Sequence, residues 1–523
     1  MESFQLLDII DASRGESFFL YGKTITGQPC CVEVFGARNS LLIEAPADGN
    51  ERRFLKRLQE AYIALKLEPL QKLKRMTIRA FLRSQKWAKS HKFKVLVSGE
   101  HSEADAKEIF LAKEEQKLHD KIDGLFSVVH ATGRSIADVS PRSIVENYSK
   151  DFLKVYCANK YDFYTLKKAL RSVAFYKGLY AEQPMLYNCN VSRHQRWLLE
   201  NNIKPCYWLT LKNSEPMREL SKGKLDAGVL TASVKHDDVV CKFENHVAPL
   251  VVLALDLEVE PIENNKAERQ ADPSVRPDVT FRGIGIDNIL QVSLVWTADS
   301  KLFQKLLFID PTPVPTVEEM FSGAGDVGSA MPKTFDETDF KPSEAELVPC
   351  KTEAEMLLKL RFCILQIDPD IITGYNVCSY DLHAIWKRCE ALRVPKGTCW
   401  GRFKDVPCPM KVTNFNSRAF GASQNHRFAI AGRLVLDLYE IMKKQHNLVS
   451  YKLDNVAKEF LGTAKLDVAY ADIPRMQETA ETRLEMGAYC LKDSWLVIKL
   501  LEKLCKIPNV IEMARVTGIP LRD

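Results

Sequence analysis

The sequence predicts two architectures in series: an α+β region over residues 1–245, then an α/β layer fold with a mixed central sheet over residues 246–523. Three observations carry this. In the first region short β-rich runs and helical runs mix without regular alternation. In the second, strand-like and helical runs alternate. Between the two lies Asn213 to His236, polar enough to read as a connection.

The elements follow in order. Ser17–Leu20, Cys30–Phe35 and Phe93–Val97 are rich in β-branched and aromatic residues and read as strands. Arg52–Leu67, Ala104–Lys121 and Tyr164–Leu170 carry apolar residues at helical spacing. Val251–Val259 is an apolar, β-branched run and reads as a buried strand. Pro261–Pro277 is rich in Asn, Lys, Glu and Pro and reads as a loop. Ile284–Ile286 and Ile289–Trp296 follow as strands, with Asp287-Asn288 as turn chemistry between them, then Leu306–Ile309. Residues 311–349, rich in Pro, Gly, Ser and acid, read as a mobile surface insertion. Beyond it, Glu353–Ile367 and Asp381–Leu392 are helical around a short strand at Asp370–Tyr375. Arg427–Leu438 reads as a strand, and Tyr451–Leu461 and Thr482–Leu504 as helices.

Composition bounds the class. Hydrophobic content of 46% and charged content of 27% are those of a globular protein. No run of about 18 apolar residues occurs, and the chain opens Met1-Glu2-Ser3-Phe4-Gln5 without a cationic secretory start. A soluble intracellular protein without membrane association is expected. The 14 cysteines include no C-x-x-C pair, which argues against zinc ribbons, iron–sulfur clusters and a disulfide framework. A net charge of +5 permits nucleic-acid binding without arguing for it. Locally, Lys72–Lys94 interleaves Lys and Arg with Phe81, Trp87 and Phe93, which suits either a phosphate-tracking surface or a solvated basic helix face.

Four acidic residues carry the functional signal: Asp256 and Glu258 in the Val251–Val259 run, Asp381 after Asn376-Val-Cys-Ser-Tyr380, and Asp493 in Tyr489-Cys-Leu-Lys-Asp493. Residues i and i+2 of a strand share a face, so Asp256 and Glu258 point together. Two carboxylates there repel and are costly to desolvate unless a cation compensates. Hard divalent cations prefer oxygen ligands. Tyr489 and Asp493 are one helical turn apart on one face.

Asp-x-Glu on a strand, Asn-x-x-x-Tyr-Asp, then Tyr-x-x-x-Asp on a helix resembles the DEDD type of 3′→5′ exonuclease. Asp368-Pro-Asp-Ile-Ile-Thr-Gly-Tyr-Asn376 and Ser450-Tyr-Lys-Leu-Asp-Asn-Val-Ala-Lys-Glu-Phe-Leu-Gly462 narrow the resemblance to the proofreading domain of family B DNA polymerases. Tyr489-Cys-Leu-Lys-Asp493 and Glu512-Met-Ala-Arg-Val-Thr-Gly-Ile-Pro-Leu521 look most like the delta-type catalytic subunit and its viral relatives. Phe152-Leu-Lys-Val-Tyr-Cys157 and Tyr187–Ile203 resemble parts of that family's amino-terminal domain.

The resemblance implies a ribonuclease-H-like exonuclease domain and two Mg²⁺ ions, with Mn²⁺ as a substitute. It implies that Asp256 bridges both ions, that Glu258 and Asp493 complete the site of the nucleophilic water, and that Asp381 supports the second ion directly or through waters. Tyr489 would orient the water, Asn376 would contact the terminal nucleotide and Tyr380 would shape its pocket. Primer-template DNA and single-stranded 3′ ends are the implied substrates. A separate or downstream polymerase palm and replication accessory subunits are the implied partners, in the nucleus or at a viral replication site. No Asp-x-x-Ser-Leu-Tyr-Pro, Asn-Ser-x-Tyr-Gly or Tyr-Gly-Asp-Thr-Asp run occurs, so primer extension by this chain alone is not expected. The second motif departs from the family in Leu382-His383-Ala384, where Leu-Pro-Tyr is common, and in Tyr380, where Phe is usual. Asp437 in the Gly432–Tyr439 run is expected to hold architecture rather than metal, and His426 and His446 to be surface residues. Two other readings stay open: a polymerase-derived DNA-binding or assembly subunit with little catalysis, and a free-standing DEDD nuclease.

Overall fold

The computed structural model describes residues 3–522 apart from 12–16, 47–49, 76–102, 123–125, 134–149, 158–159, 178, 188, 218–224, 226–227, 272–274, 276–277, 311–330, 332, 418–420 and 464–468. The basic stretch beyond Arg75 and the Phe93–Val97 run lie outside the described residues. Among the described residues, no helix is long and apolar enough to cross a membrane.

Two sheets dominate. The first has seven strands drawn from Phe4–Asp11 through Val239–Lys242, built on the meander Phe4–Asp11, Ser17–Thr24, Pro29–Phe35. The polar connection expected at 213–236 instead supplies two of its strands, Ser214–Glu215 and Leu230–Lys235, the latter pairing in parallel with Pro29–Phe35. Ala232 and Val234 are buried there, so two apolar side chains on one face were enough to recruit the segment. A separate four-stranded sheet packs against helices Glu51–Arg75 and Lys160–Leu170.

The second large sheet has six strands: β1 (Val252–Glu260), β2 (Asn288–Ala298), β3 (Lys301–Ile309), β4 (Glu346–Cys350), β5 (Ile371–Gly374) and β6 (Leu434–Asp437), in the order β4-β3-β2-β1-β5-β6. β1 and β2, and β2 and β3, are antiparallel; β1–β5, β5–β6 and β3–β4 are parallel. This is the mixed central sheet the sequence predicted. Helices α1 (Glu353–Ile367) and α2 (Asp381–Ala391) pack on one face, and α3 (Leu438–Gln445), α4 (Leu453–Leu461) and α5 (Ala480–Lys503) on the other. Helix α6 (Lys506–Thr517) follows.

Several expectations need correction. Ile284–Ile286 is a turn rather than a strand, because Gly283 and Gly285 both take positive φ. The loop expected at 261–277 contains a short helix, Lys266–Ala271, whose buried Arg269 binds Glu263 and Glu478. Arg427–Leu438 breaks at Gly432: its start closes a hairpin, Met410–Ser417 with Gly421–Phe428, and its end is β6. The expected mobile insertion is docked over its described part. There β4 extends the sheet, Phe340 is buried, and Lys492 of α5, fully buried, binds Glu337 at 2.5 Å and lies over the rings of Phe340 and Trp495.

One charged cluster joins the two large sheets. Asp370, just before β5, accepts from Lys23 of the first sheet at 2.5 Å, from Arg402 at 2.8 Å and from the Val251 amide at 2.8 Å. Arg402 also binds Asp368, which Arg433 shares at 2.6 Å. Burial alone would raise the Asp370 carboxyl, but Arg402 and Lys23 outweigh it and hold it below its usual range. Removing one partner of such a cluster strands a buried charge. Arg402→Ala should therefore cost about 3–5 kcal/mol in chemical denaturation. Because the folded carboxyl titrates below its unfolded value, the Asp370 contribution is present above pH ~3.9 and is lost as pH falls further. An acid-denaturation midpoint that Asp370→Asn leaves unmoved would contradict this.

Candidate active site

The site forms where β1 stops being core. Leu253, Leu255, Leu257 and Val259 enter one apolar cluster, while Val252 and Ala254 enter the other, beneath α5. On that second face the next two positions are Asp256 and Glu258, both half-buried. The strand thus changes from apolar to acidic at the edge of the α5 contact.

Two devices set α5 against these acids. Ser293 lies across from Asp256 on β2, and its hydroxyl reaches the Cys490 carbonyl at 2.9 Å and the Ser494 hydroxyl at 2.7 Å. Gln291, across from Glu258, donates to the Arg483 carbonyl at 2.8 Å. The approach is close enough that a Cβ on Gly487 would collide with Leu306 and stand 3.0 Å from Met331. As a result Cys490 Sγ sits 3.8 Å from Asp256 Oδ2, and one ligand atom each of Asp256, Glu258 and Cys490 lie within 4.8 Å of one another. Asp493 is buried one turn to one side of this group.

Asp381 opens α2. It is 1% exposed, and its Oδ1 has no hydrogen-bond partner among the described residues. Burial pushes its carboxyl well up, and the charges of Asp437, Glu258 and Asp493 push the same way. The preceding turn is held from behind. Gly374 ends β5 against β1, where a Cβ would come within 2.8 Å of the Leu255 carbonyl. Asn376 adopts φ +64°, and its amide donates to Asp437 Oδ1 at 2.9 Å, while the Cys378 amide donates to Oδ2 at 3.0 Å. Asp437 also caps α3 through the Tyr439 amide at 3.1 Å. It is thus wholly engaged with backbone, as expected, and burial raises it to about 6 against the pull of these donors. Tyr375 ties the turn to the 450–462 segment through the Tyr451 carbonyl at 2.5 Å.

Tyr380 is half-buried beside the acids: burial raises its hydroxyl, with further contributions from Asp381, Tyr470, Glu258 and Asp256. Its ring is 6.4 Å from Phe281, which is in turn 6.4 Å from Tyr470. Sequence reasoning missed Phe281 and Tyr470, both exposed aromatics, and missed Cys490. Nothing in the local sequence marked the first two, because each is a single aromatic in a short segment of mixed character. Tyr489 is not turned to the carboxylates. Its hydroxyl donates to Glu485 at 3.0 Å, one turn toward the start of α5, as helical side chains tilt. His383 is buried and stacks on the half-buried His426 of the hairpin at 4.2 Å, so His426 sits at the surface and packs there. His446 likewise packs on Phe460 and meets Lys506 at 2.9 Å.

Residues 185–456, just over half of the chain, match the family model described as DNA polymerase family B, exonuclease domain. This chain belongs to that family. The matched region contains Asp256, Glu258 and Asp381 and ends before α5. A DNA polymerase delta catalytic subunit of Glycine max is 28% identical over 395 residues, covering 74% of this chain and 33% of the relative. Another from Arabidopsis thaliana is 39% identical over 177 residues, 34% of this chain and 16% of its own. The chain thus spans about a third of the length of the first of these relatives and less of the second. In fold it is similar to the family B DNA polymerase of the hyperthermophilic archaeon Pyrobaculum calidifontis, with TM-score 0.57 at 16% identity, over 99% of this chain and 48% of that one. The likeness supports a ribonuclease-H-like exonuclease fold, delta-like in sequence.

The residues present suit the divalent metal on which exonucleases of this family generally depend. Like charges gather in a half-buried place, and Asp381 keeps a buried oxygen without a partner. Without a cation the cluster is a stability cost. Asp381→Asn should therefore raise the metal-free melting temperature by roughly 2–4 °C, the equivalent of about 1 kcal/mol in a region this size. Because the folded carboxyl is raised, the wild-type penalty grows as pH climbs above ~3.9 and vanishes below it, where both states are protonated. Melting curves at pH 7 and at acid pH check both parts; equal gains at the two pH values would contradict the assignment.

Proposed function

We propose that this chain carries the proofreading 3′→5′ exonuclease of a delta-like family B DNA polymerase, removing 3′-terminal nucleotides from single-stranded and mismatched primer ends. The observation that supports it is the acidic pair Asp256 and Glu258 on one face of β1 beside Cys490 of α5, with the charges of Glu258 and Asp493 acting on the buried Asp381 of α2. We read residues 1–245 as the amino-terminal domain and 246–523 as the exonuclease domain. Primer-template DNA, a polymerase palm region and accessory subunits are its proposed partners, at a nuclear or viral replication site.

In this reading the four carboxylates would hold two Mg²⁺ ions, for which Mn²⁺ would substitute, and the ions would supply an activated water and charge neutralisation at the leaving oxygen. The chain's own residues do the rest. β1 and α5 clamp the acids at a fixed spacing, so no reorganisation is needed at the reacting phosphate. The turn held by Asp437 presents Asn376 to the terminal nucleotide, and Tyr380 forms the wall of its pocket. Tyr489 leaves Glu485 and donates its hydroxyl toward the attacking water. A phenol of reference pKa ~10 suits orientation better than proton removal.

Purified chain with Mg²⁺ should shorten a labelled mismatched primer, and Asp256→Ala with Glu258→Ala should abolish this while the far-ultraviolet dichroism persists. Mn²⁺ should raise the melting temperature of the wild type through preferential binding to the folded state. It should leave that double variant unmoved. An intact primer in the presence of a folded, Mn²⁺-stabilised chain would sink the proposal.

Tyr489→Phe separates orientation from metal binding. It should lower single-turnover excision by about 10–1,000-fold, the scale of one preorganised donor. Mn²⁺ affinity should stay within error of wild type, whereas Asp493→Ala should weaken it. Full turnover in Tyr489→Phe would mean that the Glu485 contact is the residue's whole role.

A further inference from the structure

Cys490 has no part in the reaction proposed above, yet its thiol faces the acids. We propose that Asp256, Glu258 and Cys490 form a site for a thiophilic divalent cation of the zinc and cadmium class, which takes the place of the hard cation there. The inference rests on the reading of Asp256 and Glu258 as metal ligands and adds Cys490 Sγ as a third donor.

Three observations support it. The three donors lie within 4.8 Å of one another, and Sγ to Asp256 Oδ2 is 3.8 Å. A tetrahedral cation with a sulfur bond of ~2.3 Å and an oxygen bond of ~2.1 Å sets its S···O edge near 3.6 Å. Modest adjustment of one rotamer closes that difference. Second, the thiol cannot swing away with its helix. The Cys490 carbonyl accepts from Ser293 at 2.9 Å and Ser494 meets the same hydroxyl at 2.7 Å, so α5 is pinned at this turn. Third, Asp381, 1% exposed, keeps an Oδ1 with no hydrogen-bond partner among the described residues, and the charges of Glu258 and Asp493 act on it.

Ligand softness then decides between cations. Mg²⁺ and Mn²⁺ take oxygen and leave the thiol protonated. Zinc and cadmium favour thiolate sulfur, and their binding releases the thiol proton to solvent as the metal–sulfur bond forms. A soft cation held by three donors from strand and helix occupies the place where the hard cation must sit. Trace zinc or cadmium therefore becomes an inhibitor of excision by displacement.

The test uses the whole chain in a Cys505→Ser background, since Cys505 is the exposed thiol. Titrated Cd²⁺ should produce a thiolate-to-cadmium charge-transfer band in the ultraviolet that saturates at one equivalent. Cys490→Ser, or Cys490→Ala if the hydroxyl disturbs folding, should lose the band and weaken Cd²⁺ binding by ~100-fold or more, as loss of a direct ligand exceeds the 10–100-fold cost of losing a supporting one. Mn²⁺ binding followed by electron paramagnetic resonance should persist in both variants. A band that survives in both Cys490 variants overturns the proposal. So does the absence of a band in the parent while Mn²⁺ still binds, which leaves the carboxylate reading standing. Failure of both signals in a parent shown to be folded by its melting transition overturns the carboxylate reading as well.

Discussion

The arrangement depends on one constraint: the carboxylates of β1 lie against α5, and the buried carboxylate of Asp381 on α2 feels the charges of Glu258 and Asp493. Burial is costly to Asp381, and those charges add to the cost. Such a cluster persists only where the surrounding structure determines the positions more strongly than the charges oppose them. The apolar clusters on the two faces of the six-stranded sheet supply that force. The polar contacts of Ser293 and Gln291 supply the register. A cation reverses the sign of the balance, and a site destabilised in its absence becomes a binding site in its presence.

The supporting residues are arranged behind the acids. Asp437 spends both oxygens on backbone amides and so shapes the turn that carries Asn376, Tyr380 and Asp381. Gly374 lets that turn lie against β1 beside Asp256. His383 stands where the family often has proline. It packs on His426 and so joins α2 to the hairpin. The departure changes what covers the outer side of α2.

The two large sheets are also coupled. Asp370 stands at the root of β5 and binds Lys23, Arg402 and the first amide before β1. The amino-terminal sheet therefore contributes a cation to the core of the exonuclease sheet. Arg522 near the other end of the chain returns to Asp8 of the first sheet. The Asp370 pairs are buried, so they fix relative placement rather than add much net stability.

Much of this was legible in the residues alone. Helix α1 spans the predicted residues, and β1, α2 and α5 differ by a residue or two at their ends. Asp256 and Glu258 stood out as candidates because carboxylates in an apolar strand demand an explanation, whereas Asp381 and Asp493 joined them through the family resemblance. Short strands such as Leu230–Lys235 and β4 were not, since pairing partners distant in sequence decide them. Nor was the docking of the 333–350 segment, which rests on one buried lysine between aromatic rings. The sequence by itself determined which groups are present and on which faces of their own elements they lie, because side-chain periodicity is local. Only the tertiary structure decided that the Tyr489 hydroxyl turns to Glu485, that Cys490 faces Asp256, and that Phe281 and Tyr470 stand beside Tyr380. Those outcomes follow from where one element crosses another, and no local period encodes a crossing.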